Sequence, residues 1–203
     1  MEKAQVFFAC EMRAKKDETH GTYITGKPIV FDSKTDLGYF DEIIDRGALD
    51  KTDLRDVKFL VNHNTDMIPL ARSRNNNKNS TMQLMPTDDG MDIRVNLDVE
   101  NNNEARALYS AIERGDISGM SFMFGIDGEE WEALESDHPT RHIKSISKVF
   151  EVSAVTFPAY ESTEISARCK TTLDNVRSAL DNAKNNDNNI ELLKLKNKIL
   201  GGF

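Results

Sequence analysis

Hydrophobic and polar residues alternate along much of this chain, and this alternation predicts β-strands. The clearest case covers residues 91–97, where single polar residues separate the apolar ones: Met91, Ile93, Val95 and Leu97. A second apolar segment, residues 81–85, precedes it across a turn at residues 88–90 that ends in Gly90. Two strands joined by such a turn predict a β-hairpin with one dry and one wet face.

Further segments have the length and composition of strands, namely residues 5–12, 22–31, 56–62, 119–124 and 142–157. Gly26 and Pro28 interrupt the second of these, which predicts a bulge there. The intervening segments look less regular. We expect a charged turn over 13–21, a loop over 32–38, a short helical turn over 39–49 and a polar excursion over 129–137.

One segment has the period of a helix. Ala105, Leu108, Tyr109 and Ile112 recur at the spacing of one helical face, Asn102 or Asn103 can cap its start, and Gly115 suits its end. The chain has no regular βαβ rhythm. The expected fold class is therefore mainly β with helices, arranged as a closed or partly closed antiparallel barrel.

The composition changes after Cys169, where the chain becomes rich in Asn and Lys. Residues 182–190 are of low complexity and predict a disordered linker. Residues 174–183 and 190–200 have the pattern of short helices, the last with an apolar side opposite lysines. We therefore expect a barrel domain at residues 1–169 and a tail at 170–203.

Composition and net charge exclude some classes of function. Acidic residues outnumber basic ones by 34 to 26, which argues against a general nucleic-acid binder. Cys10 and Cys169 are far apart and predict two free thiols in a reducing compartment. We find no signal peptide at the start and no apolar run of the ~20 residues that span a bilayer. The sequence predicts a cytosolic protein with no membrane partner.

Three polar residues stand in contexts that suggest catalysis. Ser121 lies in an apolar strand, His63 ends another, and Glu151 interrupts a third. Serine hydrolysis needs a nucleophile, a base and a group that orients the base. Each residue also has an ordinary explanation when taken alone: a serine bonding back to its strand, an exposed loop histidine and an edge glutamate facing water.

Metal binding is the rival use of the histidines. His138 and His142 are four residues apart, but Pro139 lies between them and no His-Glu-x-x-His pattern occurs. Glycine-rich phosphate loops are also missing from the sequence. We expect neither a metal nor another cofactor.

Four ordered blocks resemble the successive motifs of the prohead (capsid maturation) serine proteases of tailed bacteriophages: residues 36–49, 57–63, 115–124 and 150–159. The resemblance covers about residues 5–168 and rests on the order of the four blocks. It implies a fold similar to the herpesvirus assemblin proteases, a small β-barrel surrounded by helices.

By motif position, the resemblance implies that Ser121 is the nucleophile and His63 the base. The third residue of the assemblins is a second histidine, and Glu151 stands at that place here, with His142 in reserve. The family usually has glycine where Met123 stands, and often where Ala71 stands. The oxyanion donors are expected to be backbone N–H groups near Pro158 and Ala159.

The function that the resemblance implies is a serine endopeptidase inside the immature capsid (prohead), in the host cytoplasm. Its substrates would be scaffold, the N-terminal part of the major capsid protein, or both, and also the enzyme itself, with residues 182–190 as the self-cleavage region. The resemblance further suggests self-association. Two alternatives stay open, a non-enzymatic capsid assembly module with the same barrel and a metal-dependent hydrolase.

Overall fold

The computed structural model describes residues 3–8, 12–17, 21–156 and 169–184, with the backbone alone over 3–8. These residues form strands and helices in the order β1 (Lys3–Phe8), β2 (Arg13–Asp17), β3 (Gly21–Val30), β4 (Lys34–Asp36), β5 (Asp41–Ile44), β6 (Asp56–Val61), β7 (Ala71–Arg74), β8 (Met82–Thr87), β9 (Gly90–Asn96), α1 (Asn103–Arg114), β10 (Gly119–Glu132), β11 (Thr140–Val155) and α2 (169–184). The expected class, mainly β with helices, is confirmed.

The strands form two sheets. The larger has the order β1-β10-β11-β5-β4, with β6 paired to β11 and β7 paired to β6, and the smaller has the order β2-β3-β9-β8. These pairings do not close a barrel within the described part of the chain. The expected antiparallel pattern is also wrong in part, because β5 and β6 both pair parallel to β11. β11 has 16 residues, so β5 at its start and β6 at its end lie along one edge.

A single apolar cluster fills the space between the sheets and α1. Its largest fully buried side chains include Phe59, Phe122 and Phe124, and α1 adds Ala105, Leu108 and Ile112. Phe122 and Phe124 lie two residues apart on β10 and stack with ring centroids 4.8 Å apart. Residues of β10 between these phenylalanines therefore face away from this cluster.

The hairpin and the helix agree with their sequence patterns. β8 and β9 pair as an antiparallel hairpin, and Met91, Ile93 and Val95 are buried on its dry face. Asn102 caps α1 by accepting hydrogen bonds from the N–H groups of Glu104 and Ala105. Gly115 ends α1 in the left-handed region at φ 81°. β3 contains the expected bulge, between Gly26 and Ile29.

The expected helical turn at 39–49 is wrong, because residues 41–44 form β5. The polar excursion at 129–137 is wrong as far as Glu132, which still belongs to β10. Glu42 explains the first error: it is buried beside Arg141, so a charged residue occupies an inward position of a strand. The charged segment at 13–17 also forms a strand, β2, and the expected loop at 32–38 contains β4.

Helix α2 packs against the larger sheet through a second apolar cluster. Cys169 and Leu173 are buried there with Leu37, Phe40 and Val155. Burial, followed by the charge of Glu42, raises the pKa of the Cys169 thiol to about 11. The helix expected over 174–183 is confirmed, and residues 182–184 belong to it; the rest of the expected linker and the last helix lie outside the described residues.

The expected domain boundary between residues 169 and 170 stays a prediction.

No helix within the described residues is both long enough and apolar enough to cross a membrane.

Candidate active site

The register of the β10–β11 hairpin places three polar side chains on one face. Ser121 pairs with Ser153, and Met123 pairs with Glu151. Directly paired residues share a face, and so do residues two apart along a strand. Ser121, Ser153 and Glu151 therefore point to the same side, opposite the phenylalanine cluster. All three are buried, and Ser121 and Ser153 have no exposed surface.

His63 reaches this face because the chain turns sharply at the end of β6. Asn62 and His63 have φ angles of 50° and 56°, in the left-handed region that non-glycine residues rarely occupy. The Asn62 N–H donates to the carbonyl of Ala154 at 2.9 Å, and the Asn62 side chain accepts from the Thr156 N–H at 2.9 Å. These bonds to β11 hold a turn that would otherwise be unfavourable.

The three candidate residues form one chain of hydrogen bonds. His63 Nε2 lies 2.7 Å from Ser121 Oγ, and His63 Nδ1 lies 2.5 Å from Glu151 Oε1. The carboxylate accepts, so Nδ1 carries the proton and Nε2 presents its lone pair to the serine hydroxyl. This arrangement suits proton transfer from Ser121 Oγ to His63, with Glu151 fixing the imidazole.

A fourth residue, which the sequence did not single out, completes the network. Ser153 Oγ donates to Glu151 Oε2 at 2.5 Å and accepts from the His63 N–H at 3.1 Å. Both carboxylate oxygens of Glu151 are thus hydrogen-bonded. The sequence contained one signal for Ser153: it lies two residues from Glu151, and residues two apart share one face of a strand.

His142, the reserve for the third position, lies elsewhere. It pairs with Glu130 near the start of β11, and its Nδ1 hydrogen-bonds Asp45 Oδ1 at 2.8 Å. Burial tends to raise the pKa of Asp45, but hydrogen bonds from Lys144 and His142 outweigh this and lower it. His142 thus belongs to an ion-pair cluster that joins β11 to the end of β5.

The two histidines considered for a metal have different partners. His138 Nε2 lies 3.1 Å from Asp41 Oδ1 and 3.7 Å from Asp36 Oδ1. These three residues are the group in the described part of the chain whose ligand atoms lie close enough to share an ion. Lys34 Nζ, 2.9 Å from Asp41 Oδ2, already neutralises that carboxylate. His142 contacts other acidic residues, Asp45 and Glu132.

A cleft opens beside His63, between the turn that follows β6 and helix α1. Its walls are mostly apolar, with one carboxylate, and are formed by Val61, Asn62, Asn64, Met67, Glu104, Ala107, Leu108, Ala111 and Ile117. Asn62 and Asn64 are the chain neighbours of His63, so the cleft lies next to the turn that carries His63. Ala107 and Ala111 are one helical turn apart, and their small side chains leave this space open.

The departures from the family motifs have clear positions. Met123 lies opposite Glu151 on the face of Ser121 and is partly buried. Ala71 is buried in the core, paired with Phe59 across β6 and β7. The expected oxyanion donors near Pro158 and Ala159 lie outside the described residues.

A family model described as caudovirus prohead serine protease matches residues 9–179. The match includes Ser121, His63, Glu151 and Ser153 and extends into α2. No curated protein and no solved structure matches the chain.

Proposed function

This chain belongs to the caudovirus prohead serine protease family, and from that premise we propose that it is a serine endopeptidase with Ser121, His63 and Glu151 as its catalytic triad. The observation that carries the proposal is the continuous hydrogen-bond chain from Ser121 Oγ through His63 to Glu151. The family supports capsid maturation as the setting of the reaction, inside the procapsid.

The proposed reaction has two steps, acylation and deacylation of Ser121, and His63 and Glu151 take part in both. Ser121 Oγ attacks the scissile carbonyl carbon while His63 Nε2 takes its proton, and the C–N bond breaks as His63 returns that proton to the leaving amine. Water then attacks the acyl-enzyme while His63 Nε2 takes its proton, and the ester C–O bond breaks as His63 returns that proton to Ser121 Oγ. Glu151 holds the imidazole by Nδ1–H and stabilises its positive charge in both steps.

The proposed substrates are proteins of the immature capsid: scaffold, the N-terminal part of the major capsid protein, or both. We also propose self-cleavage within residues 182–190, because exposed polar segments enter a protease readily. Residues 182–184 form the exposed end of α2. The tail at 170–203 would carry the enzyme into the particle, and self-association would accompany assembly.

We place an apolar side chain of the substrate in the cleft beside His63. The cleft is close to the proposed base, because Asn62 and Asn64 contribute to the cleft and flank His63 in the chain. Its apolar walls favour an apolar occupant, and an extended peptide presents alternate side chains to such a groove.

A fluorophosphonate probe tests the triad directly. We expect it to label Ser121, to fail with Ser121→Ala and to react far more slowly with His63→Ala, because the hydroxyl then lacks its base. Ser147→Ala is the matched control: Ser147 lies on β11, donates to the Gly125 carbonyl at 3.0 Å and has no contact with the triad.

Peptide mapping by mass spectrometry identifies the labelled residue. Equal labelling of the wild type and Ser121→Ala would refute the proposal. Normal processing of capsid protein by Ser121→Ala would favour the assembly-module alternative, and activity lost to a chelator but kept in that variant would favour a metal hydrolase.

A further inference from the structure

We infer that Ser153 is a positioning residue that fixes both Glu151 and the backbone of His63; this inference rests on the proposed function. Ser153 Oγ lies between Glu151 Oε2, at 2.5 Å, and the His63 N–H, at 3.1 Å. A carboxylate can only accept, so the single hydroxyl proton goes to Glu151 and the oxygen accepts from His63. The direction of both bonds is therefore determined.

These two bonds close a ring. The ring runs from the Glu151 carboxylate to the His63 imidazole, along His63 to its backbone N–H, through Ser153 Oγ and back to Glu151. Rotation of the imidazole or displacement of the carboxylate would break at least one hydrogen bond of this ring. Ser153 thus links the group that orients the base to the base's own backbone.

The surroundings explain why such a residue is needed. Glu151 is 3% exposed, and a buried carboxylate oxygen without a donor is unfavourable. His63 adopts a left-handed backbone conformation, and its N–H has Ser153 Oγ as its acceptor. Without Ser153, the imidazole would lose the anchor that keeps Nε2 at 2.7 Å from Ser121 Oγ.

Kinetics of Ser153→Ala test the inference. We expect kcat with a peptide substrate to fall about 10- to 100-fold, the effect of losing a hydrogen bond to a charged group. KM should change little, because Ser153 has no exposed surface to present to substrate. Ser147→Ala, which removes a hydroxyl from the same strand, should keep wild-type kcat.

Ser153→Cys separates positioning from packing. The thiol fills a similar space but donates weakly, so kcat should fall in this variant as well while circular dichroism shows that the fold is retained. A variant with wild-type kcat would overturn the inference, whichever way Ser153→Ala folds.

A double variant with Glu151 distinguishes a positioning role of Ser153 from a purely structural one. If Ser153 acts through Glu151, the loss in Glu151→Gln/Ser153→Ala should be smaller than the product of the two single losses. The low-field proton resonance of the His63–Glu151 hydrogen bond should also shift in Ser153→Ala. Multiplicative losses together with an unshifted resonance would overturn the inference.

Labelling with the fluorophosphonate probe distinguishes failure of the proposed function from failure of the role of Ser153. A wild-type enzyme that does not react with the fluorophosphonate overturns the proposed function and this inference with it. A wild-type enzyme that reacts, with Ser153→Ala reacting at the same rate, overturns the role of Ser153 alone.

Discussion

Glu151 is a carboxylate almost completely removed from water, and its environment is built to accept the charge. One oxygen receives the His63 ring N–H and the other receives the Ser153 hydroxyl. Hydrogen bonds of this kind compensate for the loss of hydration that burial imposes. The same residue interrupts an apolar run in the sequence, which is the expected appearance of a buried acid with dedicated partners.

Replacement of this carboxylate by an amide tests its contribution. We expect Glu151→Gln to fold and to lower kcat by about 10²- to 10⁴-fold, because an uncharged group neither enforces the Nδ1–H tautomer nor stabilises the imidazolium. Initial rates with a peptide substrate and circular dichroism provide the measurement. Glu113→Gln, at an exposed position on α1, is the control, and equal kcat for both variants would contradict the prediction.

At the scale of secondary structure, the sequence predicted the strands and helices whose apolar residues are the buried ones. The β8–β9 hairpin and α1 with its Asn102 cap and Gly115 end belong to this group. β5 escaped prediction because Glu42, a charged residue, points inward to Arg141. Only the tertiary partner makes that position favourable, and the partner is 99 residues away.

The candidate site divides in the same way. Ser121, His63 and Glu151 were selected from their contexts in apolar segments and then by motif resemblance, and their roles stay proposals. Ser153 was missed because a serine in a strand is unremarkable until its neighbours are known. The left-handed backbone of Asn62 and His63 was also beyond prediction, since it is held by bonds to Ala154 in β11 and to Thr156 just after it, more than 90 residues along the chain.

The exposed face of α1 next to the cleft provides a test of substrate binding. Ala107→Trp should fill the cleft beside His63 and raise KM severalfold for substrates with an apolar side chain there, with little change in kcat. Ala107 is exposed, so the core and the thermal midpoint should be unaffected. Glu113→Trp puts the same bulk on α1 outside the cleft.

Steady-state kinetics on both tryptophan variants is the measurement. An unchanged KM in Ala107→Trp, or an equal increase in both variants, would mean that the substrate does not use this cleft.

Over the whole molecule, ion pairs tie together parts of the sheet that are distant in the sequence. Asp56 pairs with Arg72 across β6 and β7, and hydrogen bonds from Arg72 lower the pKa of Asp56. Asp45 joins the end of β5 to Lys144 and His142 on β11, again with a lowered pKa. Charge therefore supports the pairing of β6 with β7 and of β5 with β11, in addition to the backbone hydrogen bonds.

This arrangement predicts loss of stability in acid. A carboxylate whose pKa is lower in the folded state stabilises the fold above its unfolded pKa, and this contribution is lost as the pH falls through the folded value. The free energy of unfolding should therefore decrease below about pH 4, near the ordinary value for aspartate. Urea titrations at several pH values provide the measurement.

Asp45→Asn removes one of these contributions and should make the decrease in unfolding free energy shallower. Asp66→Asn, at an exposed loop position, should behave like the wild type. Parallel pH profiles for the wild type and Asp45→Asn would contradict this account.

β11 supplies Glu151 and Ser153, and it also holds the turn that presents His63. Among the described strands of this sheet it is the last to be synthesised, after His63 and Ser121 have been made. A nascent chain thus contains the proposed nucleophile and base before the strand that positions His63 has been made. We therefore expect the proposed triad to assemble, and any activity to begin, only after translation has passed residue 155.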